Sequence, residues 1–159
     1  MKKAIIITII ILFVCSCKKD YYDKGTAVFY NKSNQDVILL RDYISYAYFP
    51  QYDTAMPCNL EEWCRFVKVG RNEKVSFIHW NDTDKISASD TFSIFVLDKQ
   101  VFSNYSWKQI CDDYMILCRY DLSGNDLQFL NSTVPYPPTS EMKNMKMFPL
   151  YEEIIKDME

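Results

Sequence analysis

Apolar residues fall in short blocks along this chain, separated by clusters of Asn, Asp, Ser and Pro. Residues 26–31 (TAVFYN) read as a strand and 32–35 as a turn. Residues 36–41 read as the returning strand, with Val37 to Leu40 as an unbroken apolar run. Residues 43–49 are extended and aromatic, ended by Pro50, and residues 51–60 form a loop. Residues 63–69 and 74–80 read as strands around a Gly70–Glu73 turn. In the second of these, Val75, Phe77 and His79 alternate with Ser76, Ile78 and Trp80. Neither set is purely polar, so both faces of the sheet are expected to be covered. Residues 81–90 read as a polar loop and TFSIFVL, 91–97, as a central strand. Ser106 is placed to cap a helix over 107–113, followed by a strand over 114–120. Ser123, with Asp126 three residues on, forms an imperfect capping box before a turn that carries Leu127 and Leu130 on one face. Residues 131–136 are a last extended piece, stopped by Pro137-Pro138.

Seven or so short strands with regular turn signals predict a mainly β protein. The expected form is a single β-sandwich, either immunoglobulin-like or a small open barrel, with one or two short helices near residues 106–130. Residues 26–138 would form the domain and 139–159 a tail, with Met142, Met145 and Met147 ahead of a short amphipathic helix. Trp107, Ile110, Leu117 and Leu127 are predicted core positions. The chain has only three glycines, so its turns must lean on Asn, Asp, Ser and Pro.

The first seventeen residues change the picture. Lys2 and Lys3 precede a mostly apolar run from Ala4 to Val14. A bilayer-spanning helix needs roughly 20 such residues, and the run is too short. A basic start, a short apolar core and small residues form the pattern of a secretory signal peptide. Val14-Cys15-Ser16-Cys17 resembles the bacterial lipobox, whose cysteine is acylated and becomes the new N-terminus after cleavage. Cys17 has an aliphatic residue three before it and a small one just before it, whereas Cys15 would follow the bulky Val14. Cys17 is therefore the expected lipidation site and residues 1–16 the leader, with 17–25 as a lipidated tether. A single fatty chain anchors only marginally; a diacylglyceryl cysteine supplies the additional apolar burial.

Removing residues 1–16 takes away two lysines and no acid. It leaves 143 residues and moves the net charge from −3 to −5. That charge and the lack of a basic cluster argue against a nucleic-acid partner. Four cysteines then remain: Cys58, Cys64, Cys111 and Cys118. In an exported protein these can pair, and four allow three connectivities. The Cys58–Cys64 bond is favoured, because a loop and a strand start can bring its ends together. It would close a short ring worth about 2.4 kcal/mol in the loop-entropy model. A Cys111–Cys118 bond ranks behind it, and free buried thiols are the competing reading. The C-x5-C and C-x6-C spacings, with no nearby histidine, do not suit zinc, so neither metal nor cofactor is expected.

The segment from Trp107 reads W-K-Q-I-C-D-D-Y-M-I-L-C-R-Y-D-L-S-G-N-D-L, then N-S-T-V-P-Y-P-P to Pro138. It resembles a family of small uncharacterised lipoproteins of Bacteroidota, with the pattern W-x-x-[IV]-x-x-x-Y-x-I-L-x-R-Y-D-L-S-x-x-D-L and a closing N-W-x-[IV]-x-Y-P. The V-F-Y-N-K-S of Val28 to Ser33 and the P-Q-Y-D-T of Pro50 to Thr54 also fit. The likeness spans most of residues 26–138. Ser132 departs from it, standing where the family usually has Trp. The resemblance implies an exported β-rich domain in the bacterial envelope, most readily at the outer membrane. It implies no activity.

Candidate chemistry is sparse. His79 is the single histidine, set within a predicted strand and read as structural. No nucleophile elbow, metalloprotease, P-loop or dinucleotide motif is present. Glu61-Glu62 and Asp112-Asp113 are adjacent acids that would point apart. Asp121 and Asp126 are explained by the helix start at Ser123. Tyr43, Tyr46, Tyr48, Phe49 and Tyr52 crowd one region and could stack on a sugar or protein partner. Asp53-Thr54-Ala55 resembles the sequence that Bacteroidota O-glycosylate, with Thr54 as acceptor. Asn31, Asn81, Asn104 and Asn131 head N-x-[ST] sequons. The expectation is thus a lipid-anchored binding or structural module with a protein or glycan partner. The alternatives are a hydrolase of envelope or other glycans and an accessory subunit of an outer-membrane assembly.

Overall fold

The computed structural model describes residues 21–22, 25–42, 64–80, 86–87 and 91–157. The expected strand over 43–49, together with Cys17, Thr54 and Cys58, lies outside them. The strands are β1 (Tyr21–Tyr22), β2 (Gly25–Asn31), β3 (Val37–Asp42), β4 (Cys64–Val69), β5 (Lys74–Trp80), β6 (Ile86–Ser87), β7 (Thr91–Asp98), β8 (Cys118–Ser123), β9 (Thr133–Tyr136) and β10 (Lys146–Phe148). The helices are α1 (Lys99–Asn104), α2 (Trp107–Asp112), α3 (Gly124–Phe129) and α4 (Tyr151–Lys156).

The architecture is a small β-sandwich, with no closed barrel among the described residues. One sheet is antiparallel throughout, in the order β10-β8-β7-β3-β4. The other, β5-β2-β9, is mixed, because β9 runs parallel to β2. β1 and β6 make a separate two-stranded pair, so the expected loop over 81–90 contains a short strand.

Strand periodicity decides how the layers form. Val37 and Leu39 of β3, Phe92, Ile94 and Val96 of β7, and Cys118, Tyr120 and Leu122 of β8 face the smaller sheet. There they meet Ala27, Phe29, Phe77, Val134 and Tyr136 in one buried core. The alternate residues Ile38, Leu40, Phe95 and Leu97 point the other way and are covered by Trp107, Ile110 and Cys111 of α2, with Val101 and Phe102 of α1 alongside. Six consecutive residues of β7 are therefore buried, apolar but for Ser93, as expected of a strand covered on both faces. Burial of such side chains contributes about 1.5–3 kcal/mol each.

Both anticipated caps are present. The Ser106 hydroxyl accepts from the Gln109 N–H and Gln109 reaches back to the Ser106 N–H; Ser123 and Asp126 do the same for α3. Trp107, Ile110 and Leu127 are buried, while Leu117 is only partly so.

Three expectations need correction. The strand over 114–120 starts later, at Cys118. Tyr114 has a left-handed backbone (φ 50°) that ends α2, and Met115 and Ile116 pack on the helical face of the sheet. Helix α1 was not anticipated; it begins at Asp98, whose carboxylate accepts from the Gln100 and Val101 N–H groups at 2.6 and 3.1 Å. Finally, residues 139–157 are part of the domain rather than a tail. Lys146–Phe148 adds a strand against β8, and Met142, Met147 and Ile154 are in the main core.

Candidate functional site

Two chain crossings between the sheets create a recessed polar feature. The chain leaves β2, in the small sheet, and enters β3, in the large one, through Ser33–Gln35. It returns from β4 to β5 through the turn after Gly70, where Asn72 takes a left-handed φ of 57°. Asn31 ties these crossings together. Its side-chain N–H groups donate to the carbonyls of Gln35, Val69 and Gly70 at 2.8, 3.2 and 3.1 Å. Its Oδ1 accepts from the Ser33 backbone N–H and hydroxyl at 3.0 and 2.7 Å. Asn31 is fully buried, so its sequon is unavailable to a glycan.

The start of α1 lies at the same end of the sandwich, because Val37 pairs with both Val69 and Asp98. Between the three junctions is a cleft of about 390 Å³. The β2–β3 turn contributes Asn34, Gln35 and Asp36, and the β4–β5 turn contributes Arg71. The β7–α1 junction contributes Asp98, Lys99 and Gln100, with Ser103 and Asn104 further along α1.

The cleft's electrostatics are internally balanced. The Asp36 carboxylate lies 3.0 Å from the Lys68 ammonium and 3.3 Å from that of Lys99. These contacts, that of Lys68 foremost, hold the Asp36 carboxyl below the usual carboxylate range and raise Lys68 above the usual lysine value. A general acid works best with a pKa near the operating pH, and Asp36 is held away from it. Asp98 is committed to capping α1. Arg71, Asn34, Gln100 and Asn104 present exposed donors and acceptors. Asp36 is therefore poorly suited to exchange protons near neutral pH.

A second polar cluster is buried except for Lys146 at its edge. Asp121 was read from the sequence as compensation for the start of α3; the structure corrects this. On β8 it is buried, and its Oδ1 accepts from Arg119 Nε at 2.8 Å and from Ser93 Oγ at 2.5 Å. Lys146 lies 3.2 Å from Oδ2, and the Arg119 guanidinium sits over the Phe95 ring at 5.5 Å. The cluster joins β7, β8 and β10, a stabilising role.

Of the residues singled out from sequence, Cys111 is disulfide-bonded and Cys118 is a free, buried thiol. The Cys111–Cys118 bond is therefore absent: β8 turns Cys118 into the inter-sheet core, whereas Cys111 packs on the opposite face of the large sheet. Burial pushes the Cys118 thiol up to about 12, and burial likewise raises Tyr120 beside it well above the normal phenol. Cys64 opens β4, with its side chain outside the described set, as is that of His79. Asp112 is on the exposed side of α2, paired with Lys108. Among the described residues, no group of three or more His, Cys, Asp or Glu could hold a metal ion, and no helix is long and apolar enough to cross a membrane.

Unreduced peptide mapping should find Cys111 in a mixed-sequence disulfide peptide and Cys118 as an unmodified thiol, alkylated only after denaturation. Recovery of a Cys111–Cys118 peptide, or rapid labelling of Cys118 in the native protein, would contradict this assignment. Cys58 and the side chain of Cys64 lie outside the described residues, so the expected Cys58–Cys64 bond is not placed.

The cleft could not be found from sequence signals, since its residues come from three distant segments and no motif links them. No family model, curated protein or solved structure matches this chain.

Proposed function

We propose that the protein is a lipid-anchored module of the bacterial cell envelope, held by an acylated Cys17 and presenting its β-sandwich as a binding domain. The observation that carries this reading is Val14-Cys15-Ser16-Cys17 placed directly after a basic and then apolar segment. Two further features support it. The disulfide at Cys111 suits an oxidising, extracytoplasmic setting. The Trp107–Pro138 segment resembles Bacteroidota lipoproteins.

Cells grown with labelled palmitate provide the test. The wild-type chain should be labelled and lack residues 1–16 by intact mass. Cys17→Ser should accumulate as an unlabelled precursor. Normal cleavage and labelling of that variant would refute the anchor.

A further inference from the structure

We propose that the cleft at the Asn31 end of the sandwich binds a neutral, hydroxyl-rich ligand, an oligosaccharide. The proposal deepens the binding-module reading and rests on it. The lining decides the ligand class by what it contains and what it omits. It carries no apolar side chain, so it offers nothing to a lipid chain or an apolar peptide anchor. Its two carboxylates, Asp36 and Asp98, face Arg71 and Lys99, while Lys68, which also pairs with Asp36, has the Glu73 carboxylate nearby, so it does not concentrate positive charge for a phosphate or a polyanion.

What remains is a dense set of mixed donors and acceptors. Arg71 donates only, carboxylates accept only, and the amides of Asn34, Gln100 and Asn104 do both. A sugar hydroxyl is donor and acceptor at once, so vicinal hydroxyls can bridge neighbouring groups of this kind without leaving one unpaired. The volume, about 390 Å³, lies at the small end of ligand pockets and suits a short stretch of a longer glycan. The open, hydrated setting makes each hydrogen bond a near-exchange with water, and affinity for a single short chain should be weak, with a Kd of about 1 mM.

The isotope-labelled full chain, in detergent micelles, would be titrated with maltohexaose, cellohexaose and mannohexaose, and separately with oligogalacturonate and inorganic phosphate. The expected result is saturable shifts of backbone amides in 34–36, at Arg71 and in 99–104 with at least one neutral oligosaccharide. Arg71→Ala and Asn104→Ala alter exposed side chains and should leave the remaining spectrum unchanged while weakening binding about tenfold. Absence of shifts with all three neutral probes would overturn the proposal. So would shifts mapping elsewhere, or a response to oligogalacturonate or phosphate alone, which would make the cleft an anion site. Acylation is read independently from the intact mass of the same sample. An acylated chain that binds no glycan thus removes the ligand assignment alone, and a glycan-binding chain without acyl groups removes the anchor alone.

Discussion

Asp121→Ala should cost about 3–5 kcal/mol, a large share of the ~5–15 kcal/mol by which a domain of this kind is stable. Asp121 accepts hydrogen bonds from Arg119 and Ser93 and neutralises Lys146 from its second oxygen. Arg119 is only 2% exposed. Removing the carboxylate takes the Asp121 ion pair from a buried guanidinium and the acceptor from the buried Ser93 hydroxyl. Chemical denaturation read by tryptophan fluorescence would measure the loss. A combined Arg119→Met, Asp121→Leu, Ser93→Ala variant separates the missing charge from mere packing damage. Replacing a buried ion pair with apolar groups of similar volume is often neutral or stabilising, so the triple variant should be more stable than Asp121→Ala. If both are equally unstable, the ion pair is not the source of the effect.

Asn31→Ala should cost about 3 kcal/mol by a different route. One amide serves the carbonyls of Gln35, Val69 and Gly70 and accepts from Ser33. Each buried group left unsatisfied costs about 1–3 kcal/mol, and part of this is recovered where water can enter at the turn. Asn31→Asp should be no better, because it turns an acceptor oxygen toward three carbonyls. Equilibrium urea unfolding would test both, and a loss below ~1 kcal/mol in Asn31→Ala would show that the two sheet crossings do not depend on this side chain. Because Asn34 and Gln35 follow directly, the same substitution should disturb the cleft, seen as shifts of their backbone amides.

The sandwich itself was legible wherever burial follows a simple period. TFSIFVL is central because both its faces are covered, and Ser106 and Ser123 announce their helices by local hydrogen-bonding chemistry. The errors have equally physical origins. In the segment YMILCRYDLS, apolar content favours the first half as the strand. The structure instead uses CRYDLS, because Arg119 and Asp121 satisfy one another and so can be buried. The sequence KQVFSN has no apolar stripe of helical period, and the Asp98 cap that starts α1 is seen only in the structure. The C-terminal residues were set aside because Pro137-Pro138 looked like a boundary, although Met147 and Ile154 are buried as deeply as other core residues. Asn31 stands out in the sequence only as a sequon and within V-F-Y-N-K-S, since a clasp between chain crossings depends on a topology that spacing does not reveal. The cleft was illegible for the same reason.

That late placement of core residues has a consequence for biogenesis. β2 and β3 leave the ribosome early, but the core they share with Met142, Met147 and Ile154 cannot close until residues 142–154 have been synthesised. With translation at roughly 5–20 residues per second, the nascent chain spends several seconds as incomplete sheets. A chain kept open for that interval remains threadable, which is the state a protein needs if it is to cross a membrane as an extended polypeptide and fold on the far side.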